Sequence, residues 1–162
     1  MPLEREDQQH LEAAQGYTAL GMYADATAEL EQIDAFCRCL PEVLAVRVAI
    51  YQANKKWELL QTVAKQLLAN DPSNPQWPIF LAYATRRAQS LQAAKLILLE
   101  AATKHPQEAL ISYNLGCYEC QLGDLHAAKE HLKRAFALQA EYREMALEDS
   151  DLEPLWKSLS CG

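Results

Sequence analysis

Residues 109–142 read ALISYNLGCYECQLGDLHAAKEHLKRAFALQAEY. Two stretches rich in helix-favouring residues, 109–121 and 125–139, flank the tripeptide Leu122-Gly123-Asp124, where glycine permits the positive φ that ends a helix. In the second stretch, apolar residues recur at intervals of three and four, which is the spacing of one helical face. They are Ala128, Leu132, Ala135 and Leu138. The sequence therefore predicts a helical hairpin whose apolar face needs a neighbour to cover it.

The same pattern recurs upstream with a period of 34 residues, which aligns four ungapped blocks: 7–40, 41–74, 75–108 and 109–142. Equivalent columns hold similar residue types. They are Ala14, Val48, Ala82 and Gly116; Tyr23, Trp57, Leu91 and Leu125; Ala26, Leu60, Ala94 and Ala128; and Leu30, Ala64, Leu98 and Leu132. Small residues let two helices approach closely, and large residues fill the space beside them. Stacked hairpins that repeat in this way cover one another's apolar faces.

Prolines mark the ends of the blocks. Pro72 and Pro106 are expected to end the second helices of blocks two and three, because proline removes a helical hydrogen bond and clashes with the preceding turn. Pro41 and Pro75 fall where the next helix begins, a position that tolerates proline. The first block lacks a closing proline, so its second helix is expected to continue to about Leu40.

The blocks resemble the tetratricopeptide repeat (TPR) family, most clearly through Tyr113-Asn114-Leu115-Gly116 and Gly123-Asp124-Leu125. Block two matches least well, since Arg47 stands where the family usually has leucine. The resemblance implies an all-α fold, a right-handed superhelical array of four helix hairpins over residues 7–142, preceded by a lead-in over residues 1–6.

The C-terminal region, residues 143–162, matches no fifth repeat. Residues 142–147 suit a helical turn or two, and Asp149-Ser150-Asp151 provides N-cap residues for a helix over 152–159. The apolar residues of that helix are Leu152, Leu155, Trp156 and Leu159. This pattern predicts a C-terminal capping helix that covers the last repeat. The alternative is a detachable segment that occupies the groove of its own or another copy.

Composition bounds the function. The formal net charge of −7 disfavours binding to phosphate backbones, so nucleic acid is not an expected partner. No apolar run reaches the length of a membrane span, and the acidic N-terminus does not read as a secretory signal. Five cysteines, an odd number, indicate reduced thiols and a cytoplasmic location. No phosphate-binding loop or hydrolase motif occurs, and His10 and His105 have no evident partner, so no enzyme activity and no cofactor are expected.

In the family, the first helix of each repeat lines a concave face that binds proteins or peptides. Carried over by the register, the resemblance implies a partner-binding site formed by Gln76, Ile79, Tyr83, Arg86, Arg87, Tyr113, Asn114, Cys117, Cys120 and Gln121. Tyrosine and arginine often anchor interfaces, and arginine forks onto carboxylates. We therefore expect an acidic or C-terminal peptide segment as ligand of an adaptor or chaperone-like module. The alternative for Arg86 and Arg87 is a solvated helix end, because cations favour that position.

Two other functions compete with the binding module. The chain could be a structural subunit that self-associates or docks in a larger assembly, and its sequence leaves the oligomeric state open. A thiol or metal protein is less favoured, although Cys117 and Cys120 form a C-x-x-C with His126 and His131 nearby. The pair falls in the second half of a predicted helix, where the helix dipole opposes a thiolate, and the spacing does not match a zinc finger. No metal site is therefore predicted.

Overall fold

The computed structural model describes residues 2–161, so Met1 of the predicted lead-in and Gly162 of the predicted tail lie outside it. Within residues 2–161 the helices are α1 (Arg5–Ala19), α2 (Tyr23–Gln32), α3 (Pro41–Ala53), α4 (Trp57–Asn70), α5 (Gln76–Ala88), α6 (Leu91–Lys104), α7 (Ala109–Leu122), α8 (Leu125–Leu138), α9 (Tyr142–Ala146) and α10 (Trp156–Ser160). Two 3-10 turns span Cys37–Cys39 and Ser150–Leu155. The described chain contains no strand, which confirms the all-α prediction.

Glycine turns and prolines end the helices at the predicted places. Gly21 and Gly123 adopt positive φ angles of 74° and 91°, which side-chain-bearing residues rarely reach. Beyond Gly123, the Asp124 carboxylate accepts a hydrogen bond of 2.9 Å from the backbone N–H of Ala127 and thereby caps α8. Pro72 and Pro106 follow the ends of α4 and α6. Both glycine turns therefore connect successive helices as the sequence predicts.

The second helix of block one is shorter than predicted. It ends at Gln32 instead of near Leu40, so that prediction was wrong. Polar contacts replace the missing helical hydrogen bonds: the Asp7 carboxylate accepts from the backbone N–H of Asp34 at 2.9 Å, and Arg38 Nε donates to the Ile33 carbonyl at 2.8 Å. Because Asp7 lies on α1, this helix end depends on a contact distant in sequence that no local pattern announces.

The chain forms two compact units, and the boundary between them follows Phe80 within α5. In the N-terminal unit, α1 packs against α2 and α3, and α3 packs against α2 and α4. One core cluster of this unit is built from apolar side chains of its first three helices and the turn after α2. It comprises Leu11, Ala14, Ala26, Leu30, Ile33, Cys37, Val43, Val46 and Ile50.

In the C-terminal unit, α7 packs against α6, α8 and the 3-10 turn at Ser150–Leu155. The approach of α7 to α8 is close at Gly116, where a Cβ atom would lie 2.7 Å from Leu132 Cγ. Leu132 is itself fully buried. A glycine is therefore required at position 116 unless Leu132 moves.

Equivalent columns of the predicted blocks are buried alike. Ten of their members have no exposed surface: Ala14, Ala26, Leu30, Leu60, Ala64, Ala82, Ala94, Leu98, Ala128 and Leu132. The column of large residues is less uniform, because Tyr23, Trp57 and Leu91 are half-buried and Leu125 is exposed. The limits of the four repeats, 7–40, 41–74, 75–108 and 109–142, stay a prediction.

The C-terminal region covers its unit with several short elements. The predicted turn near Tyr142 is present as α9. The prediction of a continuous capping helix over 152–159 was wrong. Residues 150–155 form a 3-10 turn that contains Pro154, and α10 begins only at Trp156. Leu152 and Leu155 are buried as expected. Trp156 Nε1 donates to the Ala146 carbonyl at 3.0 Å and so ties α10 to α9.

Candidate carboxylate-binding site

The predicted partner-binding residues fall on two helices. Tyr83, Arg86 and Arg87 lie on the part of α5 that belongs to the C-terminal unit. Five more lie on α7: Tyr113, Asn114, Cys117, Cys120 and Gln121. Gln76 and Ile79 lie in the N-terminal unit, where Gln76 is exposed and Ile79 is buried. The structure thus assigns eight of the ten predicted residues to one compact unit.

Asp149 brings two of these residues together. The Tyr113 hydroxyl donates a hydrogen bond of 2.8 Å to Asp149 Oδ2. The Cys117 thiol lies one helical turn further along α7 and donates to the same oxygen at 3.6 Å. The other oxygen, Asp149 Oδ1, accepts from the backbone N–H of Asp151 at 3.0 Å. Both oxygens of this carboxylate are therefore engaged, one by α7 and one by its own turn.

Asp151 is held by a second pair of side chains. Arg86 Nη1 lies 2.8 Å from Asp151 Oδ2, and Gln121 Nε2 donates to Asp151 Oδ1 at 2.6 Å. Arg86 Nη2 also donates to Gln121 Oε1 at 2.9 Å, which fixes the two donors relative to each other. We call Arg86, Tyr113, Cys117 and Gln121 the carboxylate site. The 3-10 turn Ser150–Leu155, together with its N-cap Asp149, is called the tail turn.

The carboxylate site is partly shielded from water. The side chains of Arg86 and Asp151 are 24% and 25% exposed, so water screens their attraction less than it screens a fully solvated pair. Burial acts to lower the pKa of Arg86, but the hydrogen bond and charge of Asp151 outweigh it and raise that pKa. The guanidinium also lies 5.4 Å from the centre of the Tyr118 ring.

Tyr113 remains a hydrogen-bond donor over the ordinary pH range. Burial raises the pKa of its hydroxyl, and the hydrogen bond to Asp149 raises it further. Its ring stacks on Tyr142 with the centroids 4.9 Å apart. This packing holds the hydroxyl in position for a carboxylate oxygen, because the ring has little freedom to rotate away.

The two arginines differ in environment. Arg86 is engaged by Asp151 and Gln121, so the alternative of a solvated helix end does not describe it. Arg87 is exposed and lies over the Tyr83 ring, 5.8 Å from its centre. Asn114 is half-buried. A cleft of about 670 Å³ adjoins the site, and residues from α7 and the tail turn line it, including Cys120, Gln121, Asp151 and Glu153.

The thiols and histidines do not form a reactive or metal-binding arrangement. Burial raises the pKa of both Cys117 and Cys120, with Asp149 and Asp151 contributing, so the thiolate forms are disfavoured. Within residues 2–161 no group of three or more His, Cys, Asp or Glu side chains is placed to hold a metal ion. His10 was expected to have no partner, which was wrong: its Nδ1 lies 2.7 Å from Glu29 Oε2.

Asp149 and Asp151 are the residues that sequence reasoning missed. The sequence predicts them only as N-caps, and Asp149 does accept a hydrogen bond from the backbone N–H of Asp151. Their contacts with Arg86 and Tyr113 span 65 and 36 residues of chain, so no helical period connects them. The available signal was one of charge: the expected acidic ligand and the Asp149-Ser150-Asp151 segment share the same chemistry.

Helices joined by tight turns, with the small-residue columns buried alike, form a helical repeat fold of the TPR type. Solved structures with this fold include MamA proteins. The MamA RS-1 ArsTM double mutant gives a TM-score of 0.72 at 17% identity, covering 86% of this chain and 79% of that chain. MamA MSR-1 gives 0.69 at 20% identity, with coverages of 84% and 78%. MamA AMB-1 gives 0.65 at 19% identity, with coverages of 95% and 90%.

These identities are low, so the similarity establishes the fold alone. No protein-family model matches the chain, and no curated protein matches it either. Among the helices of residues 2–161, none is both long enough and apolar enough to cross a bilayer.

Proposed function

We propose that this chain is a protein-interaction module of the adaptor or scaffold type, and that its carboxylate site binds an acidic segment of a partner. The TPR-like fold supports an interaction or scaffold role in general. The carboxylate site supports the finer assignment, because Arg86, Tyr113, Cys117 and Gln121 already hold the two carboxylates of Asp149 and Asp151.

The donor chemistry explains why carboxylates fit this site. Arg86 provides a charged fork, Tyr113 a neutral hydroxyl and Gln121 an amide, and all three donate to carboxylate oxygens within hydrogen-bond distance. Charge-assisted bonds of this kind are stronger than bonds between neutral groups, and partial burial reduces their screening. We include Tyr83, Arg87, Asn114 and Cys120 as flanking contacts. Gln76 and Ile79, which belong to the N-terminal unit, stay separate candidates for partner binding.

A non-enzymatic role agrees with this chemistry. The raised pKa values of Cys117 and Cys120 make both thiols poor nucleophiles near neutral pH. A protein or peptide partner, rather than nucleic acid, suits the net charge of −7. The proposal needs no cofactor.

The test uses a fluorescent peptide with the sequence of residues 147–160 as an acidic probe and titrates it with the full chain up to millimolar concentration, because the chain's own Asp149 and Asp151 compete for the site. Arg86→Ala combined with Arg87→Ala is expected to weaken binding at least tenfold, because the charged donor is lost. The matched control is Arg134→Ala, which removes an exposed arginine of α8 that donates to the Pro106 carbonyl. Equal affinities for the double variant and the control would contradict the proposal, provided that circular dichroism shows both are folded.

A structural subunit that self-associates is the second candidate. One observation favours it: each copy carries both a carboxylate site and a segment that fits it. Light scattering over a range of concentrations tests this candidate. A stable dimer or larger assembly that Arg86→Ala dissociates would support it, and a monomer at all concentrations would exclude it.

A further inference from the structure

The carboxylate site is filled by the chain's own tail turn. Asp149 bonds to Tyr113 and Cys117, and Asp151 bonds to Arg86 and Gln121. A ligand from another molecule therefore meets a site whose donors are already engaged. Any external carboxylate must compete with a segment that is tethered beside the site.

The tail turn shows which ligand shape the site accepts. Its two carboxylates are separated by a single residue, Ser150, and the bond from the Asp151 N–H to Asp149 Oδ1 holds them in a tight turn. Directly after this pair, Leu152 and Leu155 are 0% and 1% exposed. Polar recognition and apolar anchoring thus follow each other along the seven residues from Asp149 to Leu155.

We infer that the partner segment has the form Asp-x-Asp followed by two leucines three residues apart, and that the chain's own tail turn acts as a built-in competitor for it. This inference rests on the proposed function and adds the recognised motif and its control. The occupant to which we commit is a segment of another protein, since a second copy offers only the sequence that is already bound from within.

Tethering sets the strength of the competition. A segment joined by a short linker has an effective concentration of the order of millimolar at its site. The apparent affinity of an external ligand falls in proportion to the fraction of chains whose site is open. A partner whose segment merely equals the tail turn therefore binds poorly at micromolar concentrations, and a productive partner needs contacts beyond the motif.

The connection to the tail turn allows its release. Leu147 and Glu148 join α9 to the turn, and both are exposed. Ser158 and Ser160 of α10 are exposed as well, whereas Trp156 is half-buried against the Ala146 carbonyl. The hydrogen exchange of residues 148–160 therefore reports whether the segment is docked.

The experiment compares the full chain with the full-length Asp149→Asn, Asp151→Asn variant, which keeps Leu152 and Leu155. Hydrogen exchange of residues 148–160 first establishes that the variant's turn opens more often while α1 to α8 stay protected. Fluorescence anisotropy then measures binding of the labelled 147–160 peptide to both chains. A peptide with asparagine in place of both aspartates is the control ligand.

We expect the variant to bind the peptide at least tenfold more tightly than the unaltered chain, and adding Arg86→Gln to abolish that gain. If both chains bind the peptide equally and Arg86→Gln weakens binding to both, the tail turn does not act as a competitor, and the proposed function still stands. Failure of both chains to bind would refute both. If the unaltered chain forms a concentration-dependent dimer that the variant lacks, the occupant is a second copy and our assignment to another protein is wrong.

The rate of hydrogen exchange in the tail turn provides a second measurement that needs no external ligand. Arg86→Gln is expected to accelerate hydrogen exchange at residues 148–160 because Asp151 loses its cation, whereas Arg134→Gln is expected to leave it unchanged. Unaltered exchange in the Arg86 variant would show that the polar contacts do not hold the tail turn, and would overturn its role as a competitor.

Discussion

The helix α1 and the helix α7 each begin a predicted repeat, but their surroundings differ. Of the fifteen residues of α1, three are buried, namely Asp7, Leu11 and Ala14. Of the fourteen residues of α7, ten are buried. The reason is the number of neighbours, since α1 packs against α2 and α3, whereas α7 packs against α6, α8 and the tail turn.

This difference decides where polar groups need partners. Water can satisfy the exposed face of α1, but the polar atoms of α7 are carried into a shielded environment and require protein partners. Asp149 partners Tyr113, and Lys95 Nζ lies 3.3 Å from Glu119 Oε1. The carboxylate site is thus a consequence of enclosing α7.

The largest expected effect tests what the two units share. Leu30→Ala and Leu132→Ala remove fully buried side chains from the same repeat column, so each should lower the free energy of unfolding of its unit by about 2–5 kcal/mol. Leu20→Ala and Leu125→Ala, at 73% and 39% exposure, are the controls and should cost far less. Denaturant titration followed by hydrogen exchange checks this. A cost below about 1 kcal/mol at only one of the two sites would break the equivalence.

An alkaline titration should separate the units. Burial raises the pKa of Tyr113, Cys117 and Cys120, and raises that of Tyr118 to about 12. These groups ionise earlier in the unfolded chain, so their contribution to stability is complete below about pH 9 and is lost as the pH rises through the folded-state values. At pH 11, Tyr118 alone should account for about 1 kcal/mol, and the C-terminal unit should weaken first.

Hydrogen exchange between pH 8 and 11, corrected for the intrinsic rate, measures that loss. In the N-terminal unit, burial also raises the pKa of Cys37, so a smaller decline is expected there. Tyr118→Phe should reduce the alkaline sensitivity of the C-terminal unit. Equal sensitivity in the variant and the unaltered chain would remove Tyr118 as a cause.

A smaller effect is expected when the polar enclosure of α7 is opened. Arg86→Gln leaves Asp151 without its cation and should destabilise docking of the tail turn by about 1 kcal/mol, a value discounted for the partial exposure of the pair. Hydrogen exchange of residues 148–160 measures this. Arg134→Gln, the matched exposed arginine, should change the exchange little, and an equal shift in both variants would indicate a general charge effect.

The smallest effect concerns the N-terminal unit. Glu31 pairs with Arg38 at 2.9 Å and Arg47 at 2.6 Å, but its side chain is 46% exposed. Hydrogen bonding to Arg47 lowers the pKa of Glu31, so this contribution is present above the ordinary carboxyl pKa and is lost at lower pH. Glu31→Gln should cost less than about 1 kcal/mol and should cost less still in high salt. A salt-independent loss above that value would show that this pair is enclosed like Arg86 and Asp151.

The pair formed by Arg47 and Glu31 also shows how a local departure from the family pattern is resolved. Arg47 replaces the usual leucine, and a repeat-based interpretation has no place for its charge. In the folded chain its side chain is 14% exposed and reaches Glu31 on α2, sixteen residues away. The ion pair with the Glu31 carboxylate, rather than the repeat pattern, therefore accounts for a charged residue at position 47.

Sequence by itself determined the helices and the turns between them. Apolar residues at intervals of three and four define each helical face, Gly21 and Gly123 permit the positive φ of the turns, and Pro72 and Pro106 cannot continue a helix. These effects act within a few residues, so they can be predicted from the sequence. The resemblance to the repeat family, rather than local pattern, predicts Arg86 and Tyr113 as partner-binding residues, and that assignment stays a prediction.

Only the tertiary structure decided how α2 ends and what fills the carboxylate site. The end of α2 depends on Asp7 reaching the Asp34 N–H, and the site depends on Asp151 reaching Arg86. Such contacts join residues that are distant in sequence, and their energies depend on burial that exists only after the helices pack. Local propensities therefore specify the elements, whereas packing selects which charges meet.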